Sequence, residues 1–174
     1  MIGKPKFGWS HIHIADWEDR LSYLDDVPFE LLKALIDGCK NHRPVCVKFD
    51  AEGYEYILVF GWHNVYVLYQ NTFLPRALRN QGTSHFQALY LEADRDELGK
   101  ELIRDIRENA DEWATFYAIC DEYTDERNED RKRLLLALCN ELESLMPSDD
   151  HVMVYAATGK RATKREKKNE EENQ

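Results

Sequence analysis

Residues 43–69, RPVCVKFDAEGYEYILVFGWHNVYVLY, constrain the fold more than any other stretch of the chain. Three runs rich in β-branched and aromatic residues are separated by Asp50-Ala51-Glu52-Gly53 and by Gly61-Trp62-His63-Asn64. Short Gly-containing breaks between such runs are turn signals, so the stretch predicts an antiparallel meander that the remaining residues must cover or extend. Val45, Val47 and Phe49 alternate with Cys46, Lys48 and Asp50, the period of a half-buried strand. Tyr54 to Phe60 is apolar at nearly every position, as in a middle strand covered on both faces or flanked by aromatics. Val65 to Tyr69 supplies the third strand.

The flanking segments predict what surrounds the meander. Trp9 to Ala15 alternates, with Trp9, His11 and His13 on one face and Ser10, Ile12 and Ile14 on the other. Asp16 to Asp19 reads as a polar turn, after which Arg20 to Leu24 returns as a second arm. Asp25-Asp26 before Val27-Pro28 is a helix start, since Pro is tolerated in the first turn. Leu31, Leu32, Leu35, Ile36 and Cys39 then recur with helical period. Gly38 and the polar run Lys40 to Arg43 supply the stop, giving a helix over about 27–41. Residues 70–83 carry Pro75, Gly82 and two arginines and read as irregular; His85 to Ala93 adds a further strand.

Asp94 with Glu97 three residues on is a capping box. Leu98, Leu102, Ile103, Ile106, Ala110, Trp113 and Tyr117 follow as a helical stripe of about six turns. Glu126 to Met146 is a third helix with Leu135, Leu138, Cys139, Leu142 and Leu145 as its core face, ended by Pro147. His151 to Ala157 is a short apolar run suited to an edge strand or a packed coil. The expected fold is α+β in the order ββ-α-ββββ-α-α, with one antiparallel sheet of five or six strands covered by helices on at least one face. Residues 1–158 form the domain, and the charged residues 159–174 a disordered tail.

The whole chain is formally −10, and the first 159 residues alone carry 17 basic against 29 acidic residues. An anionic body repels nucleic acid and attracts cationic partners, although many proteins are acidic for solubility alone. No apolar run reaches the roughly 20 residues of a membrane span, and the N-terminus lacks the apolar core of a secretory signal. Cys39, Cys46, Cys120 and Cys139 have no C-x-x-C spacing and sit in apolar contexts, so they read as buried free thiols in a reducing cytoplasm.

Motifs for chemistry are few. His11-Ile12-His13 places two imidazoles on one strand face as metal pairs do, but such sites draw further ligands from a barrel of roughly 250 residues. This chain has only six His and cannot build that barrel, so the pair reads as the solvent-facing side of a half-buried strand. Neither Cys39 nor Cys46 has a partner base at fixed spacing, and no nucleophile elbow, phosphate loop or calcium loop is present. No catalytic residue, cofactor or metal site is therefore expected. A small hydrolase with an unrecognised His or Cys site stands as the third reading.

Two features favour binding. Tyr54, Tyr56, Trp62, Tyr66, Tyr69 and Phe73 cluster within twenty residues, with Trp9 and Trp17 as possible neighbours, and Trp at hairpin tips (Trp17, Trp62) suits partner anchors. Padding of the sheet beneath the helices is the alternative. Asp121 to Asp130, DEYTDERNED, holds six acids against one Arg. Joined to the third helix, Asp121, Asp125 and Glu129 form one column and Glu122, Glu126 and Asp130 another, spaced about 6 Å apart. Such a surface imitates a phosphate backbone and fills a basic groove. The alternative is an acidic first turn that complements the helix dipole and pairs with Arg131-Lys132-Arg133.

The segments SYLDDVPFELLKALIDG and RPVCVKFDAEGYEYILVF resemble small acidic proteins carried by bacterial mobile elements and phages, in pattern over roughly residues 8–145. The resemblance implies an accessory or counter-defence role, in which acidic binders block nucleases or DNA-binding enzymes. The first expectation is accordingly a non-enzymatic acidic protein that docks on a basic protein partner through Asp121–Asp130, Trp62 and Trp17, with no membrane association. A nucleic-acid accessory factor using the 70–83 loop and the basic tail from Lys160 is the second.

Overall fold

The computed structural model describes residues 1–71, 86–116 and 125–146. Most of the 70–83 segment, Tyr117, Cys120, Asp121, Glu122, the 151–157 run and the charged tail lie outside the described residues. The elements are β1 (Trp9–Ile14), β2 (Trp17–Ser22), α1 (Val27–Asn41), β3 (Val45–Asp50), β4 (Tyr54–Phe60), β5 (Asn64–Asn71), β6 (Phe86–Glu92), α2 (Arg95–Glu108), α3 (Ala110–Ala114) and α4 (Asp125–Leu145). The chain is α+β in the expected order.

The strands form two sheets where one was expected. β3-β4-β5-β6 is a four-stranded antiparallel meander, and β1-β2 is a separate hairpin. Periodicity reports that a strand has a wet and a dry face, not whose edge it meets. The hairpin buries Ile12, Ile14 and Leu21 completely in the common core, and its last residue reaches β3 through Ser22 Oγ, which donates to the Asp50 carbonyl at 3.1 Å. The expected Asp16–Asp19 turn is also corrected. Ile14 pairs with Trp17, leaving Ala15 and Asp16 as a two-residue turn with Ala15 at φ 52°. Trp17 is therefore a strand residue and not a hairpin tip.

In the main sheet, register defines two faces. Val45, Phe60, Val65 and Leu91 make one cross-strand row, and Val47, Leu58, Val67 and Leu89 the next. All of these face the core and are buried except Leu89, which is 38 % exposed. The opposite face carries Cys46, Val59, Tyr66 and Tyr90 in one row; Tyr66 and Tyr90 meet edge-on with centroids 5.3 Å apart and remain exposed. Among the described residues β4 is thus covered on one face, and its outward Ile57 and Val59 are half-buried. Cys46 is exposed and Cys39 half-buried, so of the described thiols only Cys139 is fully buried as expected. Burying a position requires a layer above it, and this face has none among the described residues.

The helices cover the inner face. Leu31, Leu32 and Leu35 of α1 are 0–1 % exposed, each contributing about 2 kcal/mol by burial. α1 ends at His42, in the left-handed conformation (φ 47°), with the Arg43 N–H donating to the Gly38 carbonyl. Gly38 is therefore not the stop signal it resembles. It lies inside the helix where a Cβ would come within 3.0 Å of Val45 Cγ1, 3.1 Å of Arg95 Nη1 and 3.2 Å of the Arg43 carbonyl, so it permits close packing of α1 on β3. Asp94 caps α2 as expected, its side chain accepting from the Asp96 and Glu97 amides.

The six-turn helix is broken. α2 stops at Glu108, and Asn109 (φ −125°, ψ 35°) turns its side-chain amide back to the Asp105 carbonyl at 3.0 Å. Asn competes in this way for helical carbonyls. The apolar stripe survives because Ala110 and Trp113 of α3 still reach the core. α4 packs Leu135, Cys139 and Leu142 inward. Arg107 joins α2 to α4 through a bidentate contact with Glu143 (3.0 and 2.8 Å) and a bond to Asn140.

Candidate functional site

Among the described residues, the cover over the inner face runs out at one corner of the main sheet. There the row Phe49, Tyr56, Tyr69 and Gln87 begins fully buried at β3 and ends exposed at β6. The β1–β2 hairpin leans toward this corner and leaves a cleft of about 580 Å³ lined by Trp9, Trp17, Asp19, Arg20, Glu52 and the tyrosines 54, 56 and 69, with Leu89 at its β6 side.

Local structure explains why these side chains converge. With the turn at Ala15-Asp16, Trp17 and Asp19 are alternate residues of β2 and share its inward face. The Trp17 ring packs on Tyr56 at 5.7 Å between centroids, and Tyr56 on Tyr69 at 6.2 Å. The Tyr56 hydroxyl donates to the Asp19 carboxylate, which also accepts from the Arg20 amide at 2.8 Å. Burial and then the Asp19 carboxylate hold the Tyr56 phenol well above the ordinary tyrosine range, so it is a neutral donor at physiological pH. Tyr69 donates to Gln87 Oε1. Arg20 lies 5.5 Å above the Trp9 ring. Glu52 tips the β3–β4 turn at φ 49°, held there by its N–H to Asp50 Oδ1 at 2.7 Å.

The arrangement presents aromatic faces beside two carboxylates. Ring quadrupoles attract cations, and the attraction grows as the cation is desolvated. Clefts of this size with a few converging polar groups are ligand-sized. Of this site, sequence reasoning finds the aromatic cluster and Trp17 but not Asp19, Arg20 or Glu52. The signal for Asp19 is its spacing of two from Trp17, legible once the turn is placed at Ala15-Asp16.

The remaining expected contact residues are scattered. Trp62 sits at the β4–β5 turn, about 20 Å along the strands from the cleft. It is 46 % exposed, with the Arg95 guanidinium 5.5 Å above its ring. Arg95 is itself buried and donates to the Arg43 carbonyl at 3.0 Å. Next to Trp62, His63 Nδ1 lies 2.8 Å from Asp94. Burial would raise the Asp94 carboxyl, but His63 and the Glu97 and Asp96 amides outweigh it and hold it below the usual carboxylate range.

On α4, Glu126 and Glu129 are exposed, whereas Asp130 pairs with Arg133 at 2.8 Å. Asp125 begins the helix, and Asp121 and Glu122 precede the described segment. The basic run that follows is largely spent on other elements. Lys132 pairs with Asp111 at 2.6 Å, and Arg131 forms a fork with Asp26 at 2.9 and 3.1 Å. His11 and His13 are exposed on the outer side of β1, opposite Arg20 and Glu18. Among the described residues no three His, Cys, Asp or Glu side chains are grouped to hold a metal, and no helix is long and apolar enough to cross a membrane.

Compared with protein-family models, with curated proteins and with solved structures, the chain matches none.

Proposed function

We propose that the protein is a non-enzymatic acidic binding protein that docks on a basic protein partner. The observation that carries this reading is the cleft, where Trp17, Tyr54, Tyr56 and Tyr69 stand beside the carboxylates of Asp19 and Glu52. A lysine or arginine side chain from a partner satisfies both features at once, through the ring faces and through charge-assisted hydrogen bonds. Arg20 over Trp9 is the same pairing made within the chain. The formal charge of −10 steers such a partner at close range, within about 8 Å at physiological salt. Glu126 and Glu129 extend the acidic surface on α4, and Trp62 offers a separate aromatic contact. A nuclease or other DNA-binding enzyme carries the matching basic groove, which suits an inhibitory or counter-defence role. Free thiols at Cys39, Cys46 and Cys139 fit a reducing cytoplasm.

The test is fluorescence anisotropy with labelled Arg- and Lys-rich peptides against an acidic control peptide, at about 0.05 and 0.3 M salt. The wild type binds the basic peptides, and more weakly at the higher salt. A variant combining Trp17→Ala with Glu52→Gln loses about tenfold in affinity, about 1.4 kcal/mol. Equal binding by that variant, or equal binding of basic and acidic peptides, refutes the cleft as the docking site.

A further inference from the structure

We infer that β6 is a self-association edge, pairing antiparallel with β6 of a second copy to join two four-stranded sheets into one of eight strands. The two edges of the main sheet differ in kind. β3 is entered through Arg43-Pro44 and carries Lys48, ion-paired with Glu55 at 2.7 Å, and Asp50 at its end. Proline and charge are the usual protections of a free edge. β6 reads Phe86-Gln87-Ala88-Leu89-Tyr90-Leu91-Glu92, without Pro or Gly and with its single charge at the last position, in a chain that is 32 % charged. Among the described residues only β5 pairs with it. Gln87, Ala88, Leu89 and Tyr90 are exposed in sequence, on both faces of the strand, with Leu89 at 38 % and Tyr90 at 56 %.

Register selects the occupant. The Ala93 N–H donates to the His63 carbonyl, and Leu91, Leu89 and Gln87 follow in the same phase opposite Val65, Val67 and Tyr69. By antiparallel alternation, the N–H and C=O groups of Ala88, Tyr90 and Glu92 point to the open edge. Two copies of β6 related by a two-fold axis at Leu89 bring Ala88 opposite Tyr90 of the other copy, so that outward groups exchange both hydrogen bonds. Gln87 then faces Leu91, and position 86 faces Glu92. All seven residues of the strand are used; a two-fold at Ala88 or Tyr90 pairs only five within it. Leu89 meets its own copy in a narrow, non-hydrogen-bonded pair, which covers the one exposed residue of the inner apolar rows. The two Glu92 carboxylates lie about 20 Å apart along the strands, well beyond the screening length at physiological salt. The strand is thus free of the like-charge clash that its acidic chain presents elsewhere.

The experiment is sedimentation equilibrium from about 1 to 100 μM, a range spanning weak to moderate dimers, with oxidative cross-linking of Leu89→Cys in a Cys46→Ser background. The wild type reaches twice the 20.5 kDa chain mass within that range. Ala88→Pro, which removes an outward donor and leaves the β5 ladder intact, stays at the monomer mass with an unchanged circular dichroism spectrum. Leu89→Cys forms a disulfide across the two-fold, since narrow antiparallel pairs bring Cβ atoms within disulfide reach, while Gln87→Cys does not. A monomeric wild type throughout the range overturns the inference. A dimer that survives Ala88→Pro also overturns it, as does cross-linking at position 87 and not at 89. Trp17→Ala leaves dimerisation unchanged, so a failed cleft and a failed edge give different results.

Discussion

Arg131 ties three elements together, and its removal has a calculable effect. Its guanidinium forms the fork to Asp26, donates to the Ala114 carbonyl at 3.3 Å and the Phe116 carbonyl at 3.1 Å, and lies 4.8 Å from the centroid of the Phe29 ring. It thereby ties the first turns of α4 to the N-terminus of α1 and to the end of α3. Its side chain is 13 % exposed and that of Asp26 24 %, so water replaces little of what is lost. Truncating one partner of a buried pair costs about 3–5 kcal/mol. The partial exposure of Asp26 argues for the lower end, about 3 kcal/mol. For a chain of this length that lowers Tm by about 6–12 °C. Arg131→Lys keeps the charge but loses the planar fork, and retains roughly half of the stability. The assay is urea denaturation followed by far-ultraviolet circular dichroism, comparing midpoints at unchanged slope. A loss under about 1 kcal/mol in Arg131→Ala, or a lysine variant equal to wild type, refutes the latch.

Further outcomes follow from two titratable groups. Burial, with a smaller contribution from the neighbouring Asp50 carboxylate, raises the Asp25 carboxyl above its usual range despite the hydrogen bond from the Asp50 amide. A raised carboxyl binds protons more readily in the folded state, so its unfavourable contribution is absent in acid and sets in as pH rises through the folded value. Asp25→Asn, which keeps the acceptor, therefore stabilises the protein at pH 7, and the gain disappears below the ordinary aspartate pKa of about 3.9; a gain equal at both pH values refutes the assignment. Burial pushes the Cys139 thiol up to about 11, whereas Cys46 is exposed. Alkylation at neutral pH, mapped by mass spectrometry, modifies Cys46 in the native protein and Cys139 only after denaturation. Rapid native modification of Cys139 contradicts the packing of α4.

What the sequence by itself determined is local. The meander at 43–69, the α1 stripe, the Asp94 cap and the core face of α4 are all legible because turn residues, periods of 2 and 3.6, and capping side chains act over a few neighbours. What required the tertiary structure is which layers meet. Asp19 reaches Tyr56 across 37 residues, with Trp17 packed on the same ring, and Arg131 reaches Asp26 across 105. The acidic columns read from Asp121–Asp130 are decided partly within the helix and partly by such long-range contacts. Asp130 turns to Arg133, while Lys132 and Arg131 leave the helix for Asp111 and Asp26. Two sheets in place of one, and a half-bare inner corner where the cleft opens, arise because periodicity specifies that a face is buried and not what buries it. That choice belongs to the packing of the hairpin and the helices on the meander, where the large apolar areas and the few long-range ion pairs are decided together.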